Sequence, residues 1–544
     1  MNGRPSALSV IALLAVVALG HVMLFPRVGD LDGFYHIGHA LAYLEGSILD
    51  PSLPWATYSI IGDYGADLWW GFHVLLLPFA ALGDVAVGLR LAAVALTLGL
   101  GFTVFVVLRR HGVPLAGVWA ALFLVAVPNI FFRHLMVRPH VVSLAASIAL
   151  LSVLVRGRWW QVALLSALIA WVHLSLFWIA PSLAVAYAIA RVVATVTVGR
   201  ERPDTGVPIR LALPAAVLGT VAGWLMRPEP LATASLLNVQ LVQLFVLKAT
   251  DAPLTFSQEL APIGFLELVR TTWLFAAAWL GVIVVTAYEA ARGRLARLGQ
   301  SRATLMVAGL LVSTTFLALA LMSARRAMEQ WVSFGFLSIA LLAGLSSRTP
   351  SSEALPPPDV TTPTALRRVV RTGGAVVVVV YLAWGAWRHS LNARLVASPA
   401  DSLREAAEFL ESASEPGDLV FHARWDNFGP LFAYNRTNRY LGGMDPIFQF
   451  AHDARSYWEF FYLSADVTTE WTCDAYPCTE GVATDTHQAL TDHFGARWVL
   501  VEPRRNPRLS LYLLNDPRFE LALETQREAV FEIVPRTVVD QDRP

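Results

Sequence analysis

Apolar runs of the length that crosses a bilayer, about 17–25 residues, recur from Ser6 to Trp387, separated by short polar stretches. They predict spans at 6–25, 86–108, 114–132, 139–155, 160–177, 180–198, 209–226, 266–289, 304–322, 329–346 and 371–388. After about Asn392 the pattern changes to short alternating segments with more charge and more turn residues. Residues 401–414 read as a capped amphipathic helix, and 419–421, 498–501 and 529–533 as strands. The pattern describes an α-helical polytopic membrane protein with about 11 transmembrane helices over 1–390 and a soluble α/β domain over 391–544. The first run resembles a signal peptide up to Gly20, but it continues through Phe25 and is read as an uncleaved helix.

Arginines orient the spans, because short cytoplasmic loops are rich in Lys and Arg. With the N-terminus inside, alternate loops hold Arg109–Arg110, Arg156 and Arg158, Arg200 and Arg202, Arg292 to Arg302, and Arg348 to Arg368. This requires that the apolar stretch 68–83, with Trp69, Trp70, His73 and Pro78, lies in the interface rather than crossing. Residues 26–85 then form a long extracytoplasmic loop. The loop 227–265 and the α/β domain fall on the same side. Residues 349–366, rich in Pro and Ser, read as a cytoplasmic linker.

Composition agrees: 56% hydrophobic, 15% charged, with a mean hydropathy of +0.53. No basic arm or stripe is present, which excludes nucleic acid as a partner. Nearly every cation is Arg, a usage typical of a GC-rich bacterial genome, so the expected location is a bacterial plasma membrane. Cys473 and Cys478 lie in a Pro-containing loop, where an oxidising compartment allows a disulfide. Two free buried thiols are the alternative.

The candidate chemistry begins at Gly-Asp-Leu-Asp-Gly-Phe-Tyr-His, residues 29–36, at the exit of the first span. Asp30 and Asp32 sit near a bilayer, where a charge is costly and needs a reason. The same face receives Arg133, Arg138 and His140, then Lys248, Asp251 and Glu259, then Arg325, Arg326 and Glu329. A carboxylate can serve as general base while arginines bind phosphate. His36 and His39 are spaced to share a helix face; zinc there is one reading and hydrogen bonding the other.

Asp32-Gly-Phe-Tyr-His36 after the first span resembles the first acidic motif of the GT-C glycosyltransferase superfamily, above all oligosaccharyltransferase catalytic subunits of the archaeal and bacterial kind. The layout of the whole chain resembles theirs as well. The resemblance implies sugar transfer, with inversion, from a polyprenyl phosphate or diphosphate donor to an extracytoplasmic protein, glycan or lipid. It implies Asp32 as the catalytic carboxylate, with Asp30 as the second candidate, and Arg325, Arg326 and Arg138 on the donor phosphate. His36, His140 and Glu259 are the expected substrate-side residues. The second loop departs from the family: residues 133–140 contain no acidic pair. A divalent cation, Mg²⁺ or Mn²⁺ on Asp32 and Glu259, is therefore left open. The rival readings are a transporter or flippase of a lipid-linked or anionic solute, which calls for charges within spans, and a membrane scaffold.

Overall fold

The computed structural model describes residues 7–199, 206–250, 253–255, 257–292, 298–346, 364–479 and 483–534. The linker read at 349–366 lies outside these residues up to position 363, and so do Asp251, Arg200, Arg202, Arg294, Arg297 and Arg348.

The apolar runs fold as helices, because a segment in hydrocarbon must pair its own N–H and C=O groups. In chain order they are α1 (Ala7–Leu24), α2 (Asp32–Glu45), α3 (Ile60–Tyr64), α4 (Trp70–Ala80), α5 (Val85–Arg110), α6 (Ala116–Leu124), α7 (Pro128–His134) and α8 (Pro139–Arg156). There follow α9 (Trp159–Val172), α10 (Ile179–Val198), α11 (Ile209–Leu225), α12 (Pro230–Leu237), α13 (Leu244–Ala249), α14 (Phe265–Ala291), α15 (Gln300–Met322), α16 (Met328–Ser346) and α17 (Thr364–Leu395). Among the described residues, seven stretches are long and apolar enough to cross a bilayer, and the bent α6–α7 pair makes an eighth. The protein is a multi-pass membrane protein. Shorter apolar helices pack among the spans through small residues. A Cβ on Gly219 or Gly223 of α11 would stand 2.1 or 2.2 Å from the carbonyl of Ala163 or Ala167 on α9, so the two backbones touch.

Two stretches depart from a row of straight spans. The run read as one span at 114–132 breaks after Leu124 and turns by 97° into α7. Pro128 has no N–H to donate and keeps Val127 extended, at φ −139° and ψ 123°. Further on, Pro230–Ala249 is apolar enough to cross, yet both its ends stay at one end of the bundle. Just before it, Arg227 donates to the carbonyls of Ala170 and Trp171 in the last turn of α9. At its far end, Lys248 Nζ donates to the carbonyl of Ser323, just past α15, at 2.9 Å. The helix therefore lies along that end, with Leu231, Phe245 and Val246 exposed. α4 behaves alike, with Trp70 against Trp171 and Phe79 beside Gly88 near the start of α5.

The rest of the chain caps this same end. β1 (Arg27–Val28) pairs antiparallel with β2 (Ser398–Pro399). After α18 (Arg404–Ala413) come β3 (Leu419–His422), α19 (Phe428–Tyr434), β4 (Arg439–Tyr440), α20 (Pro446–His452) and α21 (Ala454–Ser464). The hairpin of β5 (Trp471–Cys473) and β6 (Ala483–Asp485) follows, and Cys473 is bonded to Cys478. With β7 (Ala496–Val501), β8 (Phe519–Glu524) and β9 (Ala529–Ile533) the chain completes a five-stranded sheet of order β4-β3-β7-β9-β8. β3 runs parallel to β4 and β7, while β9 is antiparallel to both β7 and β8. All four residues of β3 are buried, as expected for a parallel strand covered on both faces. α19 rests directly on α2. A Cβ on Gly429 would stand 2.9 Å from the Leu31 carbonyl and 3.1 Å from the Tyr35 nitrogen.

Candidate active site

The polar groups gather at the start of α2. Asp32 is its first residue, where a carboxylate complements the unpaired N–H groups of the helix N-terminus. Arg138 stands between α7 and α8, held extended at φ −138° and ψ 148° before Pro139. From there its guanidinium pairs with three carboxylates. Nε meets Asp30, Nη2 meets Asp32 at 2.9 Å and Nη1 meets Glu259 at 3.3 Å. Arg133 on α7 donates to the other oxygen of Glu259 at 2.5 Å and pairs with Glu329 through Nε. Glu329 Oε2 is in turn 3.7 Å from His140 Nε2.

These groups border a cavity of about 130 Å³. Asp32, His36, Arg133, Arg138, His140, Glu259, Arg326 and Glu329 line it. Gln240, in the π-turn between α12 and α13, adds an amide. The C-terminal region supplies Trp425 and Asp445. Met444, at φ +72°, turns the chain before Asp445. Arg326 has a buried Nε without a partner among the described residues, a donor left available for an anion.

The carboxylates differ in charge state. Burial pushes the Asp32 carboxyl up to about 7, with Arg138 pulling against it and Asp30, Glu259 and Asp445 adding to the rise. Burial also raises Asp445, which Arg326 opposes. At Glu259 burial is overcome by Arg138 and Arg133, which hold the carboxyl well below its usual range. The result is two carboxyls, Asp32 and Asp445, raised by burial beside Arg326, whose Nε has no partner among the described residues.

No family model and no curated protein matches the sequence, but solved structures match the fold. The apo oligosaccharyltransferase of Archaeoglobus fulgidus aligns at a TM-score of 0.52 and 11% identity, over 93% of this chain and 73% of that one. The same enzyme tethered to an acceptor peptide containing the NVT sequon aligns at 0.53 and 12%, over 93% and 72%. Apo ArnT of Cupriavidus metallidurans aligns at 0.51 and 13%, over 96% and 97%. The chain has the GT-C fold.

Within this GT-C fold, the residues singled out in the sequence take different places. Asp32, His36, Arg138, His140, Glu259 and Arg326 border one cavity. Asp30 stands behind Arg138, at the floor of a separate apolar groove of about 460 Å³ between α1 and α5. Arg325 is outside both, pairing with Glu267 at 3.2 Å. Gln240 carries no signal in the sequence, and Trp425, in Trp-Asp-Asn, is only a faint echo of the Trp-Trp-Asp signature of oligosaccharyltransferases. Asp445 follows a Gly-Gly-Met turn, and that turn was the one available hint. As a metal site, the Asp32–Glu259 pair does not fit: the Arg138 guanidinium already occupies the position between the two carboxylates, and a cation there would face a fixed positive charge.

Proposed function

We propose that the protein is a membrane glycosyltransferase that moves a sugar from a polyprenyl-linked phosphate donor to an acceptor nucleophile. The observation that carries this reading is the cavity itself, where a carboxylate with a raised pKa converges with Arg326, whose Nε has no hydrogen-bond partner among the described residues. Asp32 takes the proton of the acceptor as its oxygen or nitrogen attacks the anomeric carbon. The bond from that carbon to the phosphate oxygen breaks, and the phosphate leaves with the electron pair. Arg326 and Arg133 stabilise its charge. A single displacement inverts the anomeric centre. The apolar groove, bordered by Val22, Phe25 and Leu89 and floored by Asp30 and Gly33, suits a hydrocarbon chain arriving from the bilayer. The GT-C fold supports the reaction class by analogy.

The arginine-rich end, with Arg109, Arg156 and Arg302, supports a cytoplasmic position for that end and an extracytoplasmic one for the cavity and for residues 391–544, in a bacterial plasma membrane. Proteoliposomes holding the full chain and a polyprenyl phosphate with a labelled sugar test the reading. Label leaves the lipid with wild type and stays on it with Asp32→Asn. Transfer by Asp32→Asn at the wild-type rate removes Asp32 from its role, and flux of intact donor without sugar release supports a flippase instead.

A further inference from the structure

Behind the cavity wall, α2, α4 and the loop between them build a buried polar chain that ends at His36. Asp67 Oδ1 accepts from the Trp69 N–H at 2.8 Å. Its Oδ2 accepts from the Tyr43 hydroxyl at 2.8 Å and lies 2.6 Å from His73 Nδ1. His73 Nε2 lies 2.8 Å from His36 Nδ1. His36, His73 and Asp67 are 2%, 0% and 1% exposed. The His39 ring stacks on His73, 4.5 Å between centroids and 12° between planes, which fixes the plane of the middle member.

The donors around Asp67 determine where the protons sit. Against its burial, His73, His39 and the hydrogen bonds from His73 and Trp69 hold the carboxyl far below its usual range, so it is ionised and accepts only. A neutral His73 that donates to this carboxylate carries its proton on Nδ1, 2.6 Å from Asp67 Oδ2, and presents a lone pair at Nε2. A lone pair 2.8 Å from His36 Nδ1 places a proton on that nitrogen, which leaves the lone pair of His36 on Nε2. That nitrogen has no protein partner among the described residues, and the His36 ring lines the cavity with Asp32.

We infer that Asp67 and His73 are positioning residues that lock His36 in the tautomer whose Nε2 accepts a hydrogen bond from the acceptor, from an O–H or N–H other than the one whose proton goes to Asp32. The identity of the bound group rests on the proposed sugar transfer; the locked tautomer does not. His39, Asp67 and His73 also bring three ligand-type atoms within 4.8 Å. A dication there is disfavoured. Arg227 already donates to the Asp67 and Leu68 carbonyls at 3.0 and 2.9 Å, so a single carboxylate would face three buried positive charges.

Diethyl pyrocarbonate acylates only a histidine nitrogen with an accessible lone pair, and peptide mass spectrometry reads each histidine of the detergent-solubilised full chain. In wild type, His36 is labelled while His39 and His73 are protected. Asp67→Asn keeps an oxygen toward the Trp69 N–H and turns its amide N–H toward His73 Nδ1. Both rings then reverse tautomer, as Asp→Asn does to the histidine of a serine-protease triad, and His36 labelling slows by roughly tenfold or more. An unlabelled His36 in wild type, or unchanged labelling in Asp67→Asn, overturns the relay. If Asp67→Asn does not fold, the wild-type pattern decides alone. In the transfer assay Asp67→Asn lowers kcat and leaves the donor KM unchanged; an unchanged kcat overturns the acceptor contact. A wild type without transfer overturns the proposed function and leaves the labelling result standing.

Discussion

Asp32 and Asp67 belong to the same long loop, both in surroundings that raise a carboxyl, and they end in opposite states. Asp67 receives three hydrogen bonds, from Trp69, Tyr43 and His73, and stays ionised in the protein interior. Asp32 shares one guanidinium with Asp30 and Glu259 and rises to about 7. Burial alone does not set the charge of a carboxylate; the number of donors reserved for it does. A saturated carboxylate suits a frame. A partly satisfied one suits proton transfer.

The largest contrast is expected on removing each charge. Asp32→Asn lowers sugar transfer by about 10²–10⁴-fold, with the chain still folded. The folded chain holds a proton on Asp32 that the unfolded chain releases above its ordinary pKa of 3.8. Its contribution to stability therefore falls as pH rises from there to about 7. Melting curves should show Asp32→Asn at or above wild type near pH 8, and the gain should vanish toward pH 4. Asp67→Leu does the reverse to stability. It strands the Tyr43, Trp69 and His73 donors and costs about 3–5 kcal/mol, read as a lower melting temperature. The Asp67 contribution is full above its ordinary pKa and is lost as pH falls below it, because the folded carboxyl titrates lower.

Arg138→Gln tests the sharing. Arg138 lowers the Asp32 pKa, so removing it moves the acid limb of the pH–rate profile upward, by about one unit. Wild-type transfer should rise with pH through about 7, and the variant should rise later; an unmoved limb argues that Asp32 is not the titrating base. The smallest effect is expected at Arg325. Its ion pair with the half-exposed Glu267 is worth little, so Arg325→Ala keeps transfer within about twofold, whereas Arg326→Ala loses at least about tenfold. Equal losses at both positions would remove the distinction between them.

Much of this arrangement can be read from the chain. Hydropathy located the long helices, because a bilayer imposes one length on every span. It did not distinguish crossing from lying flat. Pro230–Ala249 has the composition of a span, and only the contacts of Arg227 and Lys248 reveal its path. The α6–α7 bend is written in Pro128, whose effect on Val127 is local and is masked by the continuous apolar run around it. Asp32, Arg138, Glu259 and Arg326 drew notice as costly charges beside a membrane. Asp445 is legible only as the end of a turn that could line a cleft, since an aspartate in a soluble segment costs nothing, and its approach to Glu259 depends on packing between distant parts of the chain.

The short pairing of β1 with β2 has a consequence in time. Arg27, three residues before Asp30, donates to the carbonyl of Ala397, 370 positions later. At a synthesis rate of about 5–20 residues per second, the ribosome needs roughly 20–70 s to travel between them. Throughout that interval the carboxylates of the first loop are already at the membrane, but the strand that anchors them does not yet exist. The newborn chain therefore passes through insertion with this cavity open, until β2 and then Trp425 and Asp445 arrive to close it.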